Sequence, residues 1–313
     1  MTMRPLMFFG TTNLDLCFNV DRLPTPGETL IGTLARNPGG KGANQAVAAA
    51  RLGLQPYFYT RLGDDEAGRQ LFLSLTKAGV RTDAVEICQG EPSGSAMVMV
   101  GDDGANMIVI DPGANLNATA LTIDRAAAFI EPHAIVVAEM GIPVAALERL
   151  FELKAEKNFE LIFNPAPVRP GLSAKAWASI DYLTPNQSET FELTGVEVLD
   201  FDSAANAAEK LLKFGPRAVL ITLGAGGAYY CDESRSFGLP AFPVKVVDTT
   251  GAGDAFNGAF AAFLSQGRAV RDAVRGAMAV AALCVSRRGA QDSMPTAETV
   301  DVFLNQQTVL ELE

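Results

Sequence analysis

The residues with the strongest chemical promise form the run Asp248-Thr249-Thr250-Gly251-Ala252-Gly253-Asp254-Ala255-Phe256. It follows a strand-like apolar stretch, residues 244–247, and opens a helix rich in alanine and phenylalanine. Gly251 and Gly253 allow a tight turn and let the backbone approach a ligand closely. The N–H groups of a first helical turn have no partner inside the helix, and their partial positive charge suits an anion. Asp254 stands at the same end. Amide donors beside a carboxylate supply the two things that phosphoryl transfer to a hydroxyl needs, a base for the proton and dipoles for the migrating charge. The competing structural reading is an ordinary aspartate in the first turn after a glycine bend.

Four weaker groups accompany it. In Asn37-Pro38-Gly39-Gly40-Lys41-Gly42-Ala43-Asn44-Gln45, glycines open a helix that closes at Gly53. The four-residue gap and the Ser or Thr after lysine that mark a Walker A loop are absent. Gly40 and Gly42 permit close approach, Lys41 donates, and Asn44 both donates and accepts, which suits hydroxyl oxygens; a plain helix start with an exposed lysine is the alternative. Asn13 and Asp15 share one face of an extended run and could grip adjacent hydroxyls, or else form a local turn. Asn186 and Glu189, three apart, read equally as a hydrated Mg²⁺ site or as a capping box. Thr222-Leu223-Gly224-Ala225-Gly226-Gly227 follows a buried strand and suits a nucleotide, but Tyr229 stands where a dinucleotide fingerprint needs Gly or Ala. That counts against a nicotinamide-dependent dehydrogenase.

These groups sit at the joints of a repeating pattern. Short apolar runs near 6–9, 57–60, 135–138, 161–163, 182–184 and 219–222 alternate with helical periodicity over 43–52, 66–78, 144–157, 204–214, 252–264 and 270–285. The alternation predicts an α/β fold, a mostly parallel sheet with helices on both faces and ligands at the strands' carboxyl ends. Two stretches, about 16–36 and 93–111, lack helical signal and alternate apolar with polar residues. The turn Gly101-Asp102-Asp103-Gly104 makes the second a hairpin. Together they predict a small β-sheet lid, inserted twice. Its outer face is expected to carry Val98, Val100, Ile108 and Ile110, covered by the main domain or by a second copy.

The 313 residues, 48% hydrophobic, suffice for one large domain. A net charge of −11 makes nucleic acid and anionic membranes poor partners, so the expectation is no nucleic acid and no membrane. Four cysteines, Cys17, Cys88, Cys231 and Cys284, show no zinc spacing and read as buried free thiols suited to a reducing cytoplasm. No signal peptide or run of about 20 apolar residues is visible. His133 is the sole histidine and precedes a strand, so a histidine metal cluster is excluded and a structural role is expected.

Taken in order, the groups closely resemble the ribokinase / phosphofructokinase-B family of sugar kinases over roughly residues 8–295, with Pro24-Thr25-Pro26-Gly27-Glu28 and Asn164-Pro165-Ala166-Pro167 adding to the likeness. The resemblance implies a single kinase domain over 1–313 with that family's central sheet and β-lid. It implies ATP-dependent phosphorylation of a primary hydroxyl of a small sugar, D-ribose to D-ribose 5-phosphate. Deoxyribose, fructose or a nucleoside is the alternative acceptor, and a non-catalytic sugar or nucleotide sensor the alternative role. Asp254 would be the base, and Gly251, Ala252 and Gly253 the anion hole. Asn13, Asp15, Gly40, Lys41, Gly42, Asn44 and Glu139 would hold the sugar with Asp254. Asn186, Thr222, Gly224, Gly227, Gly253 and Met278 would meet ATP, and Glu189 would hold Mg²⁺ through water. A monovalent cation, K⁺, would lie among Asp248, Thr250, Cys284, Arg287, Gly289 and Ser293. A homodimer through the lid is also implied. Two departures stand out: Gly141 occupies the place of a sugar-contacting glutamate, with Glu139 two residues earlier on the same strand face, and Met278 replaces a residue that is often polar near adenine.

Overall fold

The computed structural model describes residues 3–310. The chain opens with β1 (Leu6–Phe9), β2 (Asn13–Val20), β3 (Thr33–Gly39) and α1 (Lys41–Arg51), then β4 (Tyr57–Tyr59), β5 (Arg61–Gly63), α2 (Glu66–Lys77) and β6 (Glu86–Cys88). A hairpin of β7 (Ser95–Gly101) and β8 (Asn106–Asp111) follows, then α3 (Ala120–Ala126), β9 (Ile135–Glu139), α4 (Val144–Lys157), β10 (Glu160–Asn164) and α5 (Ala174–Ala178). The remainder is β11 (Tyr182–Leu183), α6 (Gln187–Thr194), α7 (Phe201–Leu212), β12 (Ala218–Thr222), β13 (Ala228–Asp232), β14 (Ser236–Leu239), α8 (Ala252–Ser265), α9 (Val270–Val285) and α10 (Ala297–Leu310).

Eight strands form the main sheet in the order β14-β13-β12-β11-β10-β9-β1-β4, parallel from β4 to β12 and antiparallel at β13 and β14. The parallel strands read as unbroken apolar runs because helices cover both faces. Phe8, Val137, Ile162 and Leu220 point to α1, α8 and α9. Phe9, Val136, Leu161, Phe163 and Ile221 point to α3, α4, α5 and α7. Alanines along α8 and α9 let those helices nest tightly, and Phe260 of α8 meets Tyr182 edge-on at 5.3 Å. Strand order reverses between β1 and β9. Their carboxyl ends, Gly10 and Glu139, therefore flank the crevice where such sheets take ligands.

The small sheet has the order β3-β2-β7-β8. It begins at Asn13, earlier than the expected residue 16, so Asn13 and Asp15 belong to its first strand. The 101–104 hairpin forms as expected. The face assignment does not hold. Asp15 pairs with Ala96, which pairs with Ile110, and Cys17 pairs with Val98, which pairs with Ile108. Val98, Val100, Ile108 and Ile110 thus share the face of Asp15. The opposite face carries Leu16, Phe18, Met97, Met99, Met107 and Val109. The inward or outward sense of a strand depends on a register that alternation alone does not supply. Residues 244–247 form no strand: Val246 and Val247 are exposed, and the segment is tied down where the N–H groups of Val247 and Asp248 reach the Val285 carbonyl. The two-stranded β5–β6 sheet and the β13–β14 edge were not anticipated from the pattern.

Candidate functional site

Glycines draw the site together. At Gly42 an added Cβ would lie 2.6 Å from the Gly10 Cα, and at Gly40 2.6 Å from the Thr12 Cα, so the start of α1 lies directly on the chain leaving β1. Gly40 also has φ +91°, a conformation glycine adopts freely. At Gly258 a Cβ would come within 2.2 Å of the Gln45 carbonyl oxygen. That contact lets α8 cross α1 closely and brings Asn44 and Gln45 to Asp254 across more than two hundred residues.

Asp254 is 9% exposed, and each of its oxygens accepts one hydrogen bond. Asn44 Nδ2 donates to Oδ2 at 2.9 Å, and Gln45 Nε2 donates to Oδ1 at 3.2 Å. Gln45 Nε2 also reaches Asn164 Oδ1 at 3.2 Å, and Gln291 Nε2 holds Asn44 Oδ1 at 3.1 Å. A buried belt of amides thus fixes the carboxylate's orientation. Burial pushes the Asp254 pKa up, opposed by the charge of Lys41 and the two amide donors. Lys41 is exposed to solvent. The Asp254 carboxylate, aided by Glu139 and Glu189, holds its ammonium above the usual lysine value.

The amides ahead of Asp254 are open. Gly251 caps α8 at φ +76°. Among the described residues the N–H groups of Gly251, Gly253 and Asp254 have no acceptor, while Ala252 N–H leans on the Thr249 carbonyl at 3.3 Å. Beyond its chain neighbours and its own helix backbone, no atom lies within 4 Å of a Cβ built at Gly253, so packing does not demand a glycine there. The loop borders a cavity of about 580 Å³ lined by Thr222, Gly224, Gly227, Gly253 and Met278, with the apolar Phe242, Val246, Phe256 and Ala282. Asn186 does not line it; it bridges to Thr222 from the neighbouring strand end. The glycines of this group differ in cause. Gly227 has φ +104° and would drive a Cβ to 2.0 Å from the Leu239 carbonyl, whereas Gly224 has room for a Cβ, nearest Gln187 Oε1 at 4.0 Å, and is required by its left-handed φ of +53°.

Asn186 and Glu189 form the capping box: Asn186 Oδ1 accepts the Glu189 N–H at 2.9 Å, and Glu189 Oε2 accepts the Asn186 N–H at 2.8 Å. Burial raises the Glu189 pKa, eased by the Asn186 N–H and the charge of Lys41. Among the described residues no group of three or more His, Cys, Asp or Glu converges on a metal. A single carboxylate nonetheless suits a divalent ion that keeps its waters and takes other ligands from phosphate.

Of the residues expected around a monovalent cation, Asp248, Thr250, Cys284, Gly289 and Ser293 are linked to one another. Asp248 Oδ1 accepts from the Thr250 N–H at 2.9 Å and its Oδ2 from the Gly289 N–H at 2.9 Å. Burial of Asp248 is outweighed by these bonds, and its pKa falls. Ser293 Oγ lies 2.9 Å from Cys284 Sγ.

On the small sheet, Asp15 lies flat against Gly39, where an added Cβ would sit 2.2 Å from its Oδ2. Burial, then the charge of Asp254, pushes its pKa up to about 6. Glu139 lies at the end of β9. It is 1% exposed, its Oε1 accepts from Thr11 N–H and from Thr11 Oγ1 (2.7 Å), and its Oε2 accepts from Gly141 N–H. Both oxygens are thus engaged by Thr11 and Gly141, and burial raises its pKa, eased by these bonds and by the charge of Lys41. A Cβ at Gly141 would lie 2.5 Å from Oε2 and 2.7 Å from the Thr11 methyl, so a larger residue at 141 requires the Glu139 carboxylate and Thr11 to shift. His133 is exposed at the opposite end of β9, beside Asn158. Cys88 and Cys284 are buried, Cys17 and Cys231 half-buried, and all four are free.

Sequence reasoning did not single out Gln45, Asn115, Asn164 or Gln291 as site residues. A polar side chain between apolar helix positions, as at Gln45 in an alanine-rich helix, was the available signal. The arrangement offers a carboxylate and bare amides at one helix start, between a polar crevice and an apolar cavity. The model of the pfkB family of carbohydrate kinases matches residues 3–297. The ribokinase of Bacillus subtilis is 38% identical over 308 residues, covering 97% of this chain and 100% of the relative. The deoxyribokinase of Salmonella typhimurium is 33% identical over 297 residues, covering 95% and 97%. The solved structure of Arabidopsis thaliana ribokinase with ribose and ATP superposes with TM-score 0.86 at 33% identity, covering 97% of this chain and 99% of that one.

Proposed function

The chain belongs to the pfkB family of carbohydrate kinases, and on that premise we propose that it transfers the γ-phosphoryl group of ATP to the primary hydroxyl of D-ribose, giving D-ribose 5-phosphate. It is a phosphotransferase acting on a sugar hydroxyl. The observation that carries the reading is the open Gly251, Gly253 and Asp254 amides beside the buried Asp254 carboxylate. Asp254 receives the hydroxyl proton as the sugar oxygen attacks. The open amides stabilise the charge on the transferred group, with Ala252 contributing least because its N–H is partly engaged. Asn13, Asp15, Gly40, Lys41, Gly42 and Asn44 hold the sugar. The adenine lies in the apolar cavity against Met278, with Thr222, Gly224, Gly227 and Asn186 nearer the ribose and phosphates.

The family implies ATP and a divalent metal. When bound, that metal neutralises charge on the leaving phosphates; Glu189 would hold it through water. K⁺ would lie among Asp248, Thr250 and Ser293 and the carbonyls of Cys284, Arg287 and Gly289, steadying the turn before α8. The small sheet would act as a lid on one kinase unit. A homodimer joined through it is supported by β8, whose Met107, Ile108, Val109 and Ile110 are exposed on both faces. Among the described residues no helix is long and apolar enough to cross a membrane. The free thiols support action in the cytoplasm.

The deciding experiment measures ADP release over ribose, deoxyribose, fructose and a nucleoside, with and without K⁺. Ribose should give the highest kcat/KM. Preference for deoxyribose would move the assignment to that sugar, as the deoxyribokinase relative allows. No release with any acceptor would leave a sugar or nucleotide sensor.

A further inference from the structure

Asn115 lies in the short helical turn after β8 and is 2% exposed. Its Oδ1 accepts the Thr12 N–H at 3.1 Å. Its Nδ2 faces the Thr12 carbonyl, the Pro112 carbonyl and Asn13 Oδ1, each at 3.0 Å. Three of these partners cannot change polarity: a backbone N–H only donates and a backbone carbonyl only accepts. They settle which end of Asn115 is oxygen. That in turn settles Asn13, whose atom facing Asn115 Nδ2 has to be its oxygen. Asn13 Nδ2 then has no acceptor among the described residues, at the start of β2 and on the sheet face it shares with Asp15. Gly94 closes over the pair: a Cβ there would lie 2.2 Å from Asn115 Nδ2 and 2.3 Å from Asn13 Oδ1.

We propose that Asn115 is a positioning residue that sets the hydrogen-bond polarity of the sugar site. By engaging the Asn13 oxygen it makes Asn13 a donor toward the substrate, beside Asp15, an acceptor. The pair therefore selects two sugar hydroxyls in opposite senses, one through its oxygen and one through its hydrogen. The same amide ties the entry of the small sheet at Thr12 to its exit at Pro112, so the donor and the sheet's root move as one. This inference rests on the reading of Asn13 as a sugar ligand.

The test is a double-mutant cycle on the full chain, reading KM for sugar and for ATP separately. Asn13→Ala should raise the sugar KM by about three- to tenfold, the worth of one neutral hydrogen bond. Asn115→Ala should raise it similarly with the ATP KM unchanged, and the double variant should be no worse than Asn13→Ala alone. An unchanged sugar KM in Asn13→Ala sinks the reading of Asn13 itself. A raised KM there, with either no effect of Asn115→Ala or multiplying effects in the double variant, overturns the role of Asn115. If Asn115→Ala does not fold, Asn13→Asp decides. It keeps an oxygen for Asn115 and turns the cleft-facing atom into an acceptor, so the sugar KM must rise; an unchanged value refutes the donor assignment.

Discussion

Replacing Gly253 by alanine separates what the fold needs from what the ligand needs. Beyond its chain neighbours and its own helix backbone, no atom lies within 4 Å of the added methyl, and Gly253 carries no left-handed φ, so the chain accepts alanine without strain. Alanine is the better helix former by up to about 1 kcal/mol, less in a first turn, so thermal stability should hold or rise slightly. On the phosphoryl-transfer reading, the methyl stands in the space beside the open amides. A phosphoryl oxygen that hydrogen-bonds those amides would be displaced by about 1 Å or more, a misplacement on the scale of a hundredfold in rate. The expectation is therefore an unchanged or higher Tm with kcat/KM for ATP lowered about 10²-fold, followed by ADP release and a thermal melt. Gly258→Ala is the counterpart. Its methyl would meet the Gln45 carbonyl at 2.2 Å, so it should lower Tm and activity together by forcing α1 and α8 apart. Normal turnover in Gly253→Ala would mean that nothing charged approaches those amides, and the phosphoryl-transfer reading would lose its main support. A marked fall in Tm would instead show that the glycine serves packing.

Asp254→Asn should lower kcat by about 10²–10⁴-fold while keeping the fold, because the new side chain still accepts from Asn44 and Gln45 retains Asn164; turnover within tenfold of the parent would exclude it as the base. Asp15, with its pKa raised to about 6, presents a charged acceptor on both oxygens to sugar hydroxyls only when ionised. Its protonation at lower pH should raise the sugar KM about tenfold at pH 5 relative to pH 7.5, with the ATP KM flat, and a flat sugar KM across that range would remove Asp15 from the site. Glu139→Gln places an N–H₂ against the Gly141 N–H, leaving buried donors face to face. It should lower stability by about 1–3 kcal/mol, partly offset by removing a buried charge, and raise the sugar KM by loosening Thr11 to Asp15. Unaltered melting and sugar KM would show that its bonds to Thr11 and Gly141 are dispensable.

The α/β class, the positions of the parallel strands and the Asp254 turn were legible in the chain. Each is a local signal: an apolar run bounded by glycine, a helical period, a carboxylate after a glycine bend. The fold around them was less so. Residues 244–247 look like a strand by composition, but no neighbour pairs with them, and pairing is not encoded in a segment alone. Val98, Val100, Ile108 and Ile110 alternate as expected, yet only the register with Asp15 and Cys17 says which way they face. Glu139 shows the limit most directly. Its period places it on a strand face, but only folding supplies the Thr11 amide that, with that of Gly141, binds its oxygens. The sequence by itself determined the Asp254 turn, the open helix start and the sheet that carries them, because these depend on residues adjacent in the chain. The orientation of Asp254 by Asn44, Gln45 and Gln291, and of Asn13 by Asn115, was decided only in the tertiary structure. Amide side chains have no intrinsic polarity in sequence, and they acquire one from backbone groups that folding brings within about 3 Å.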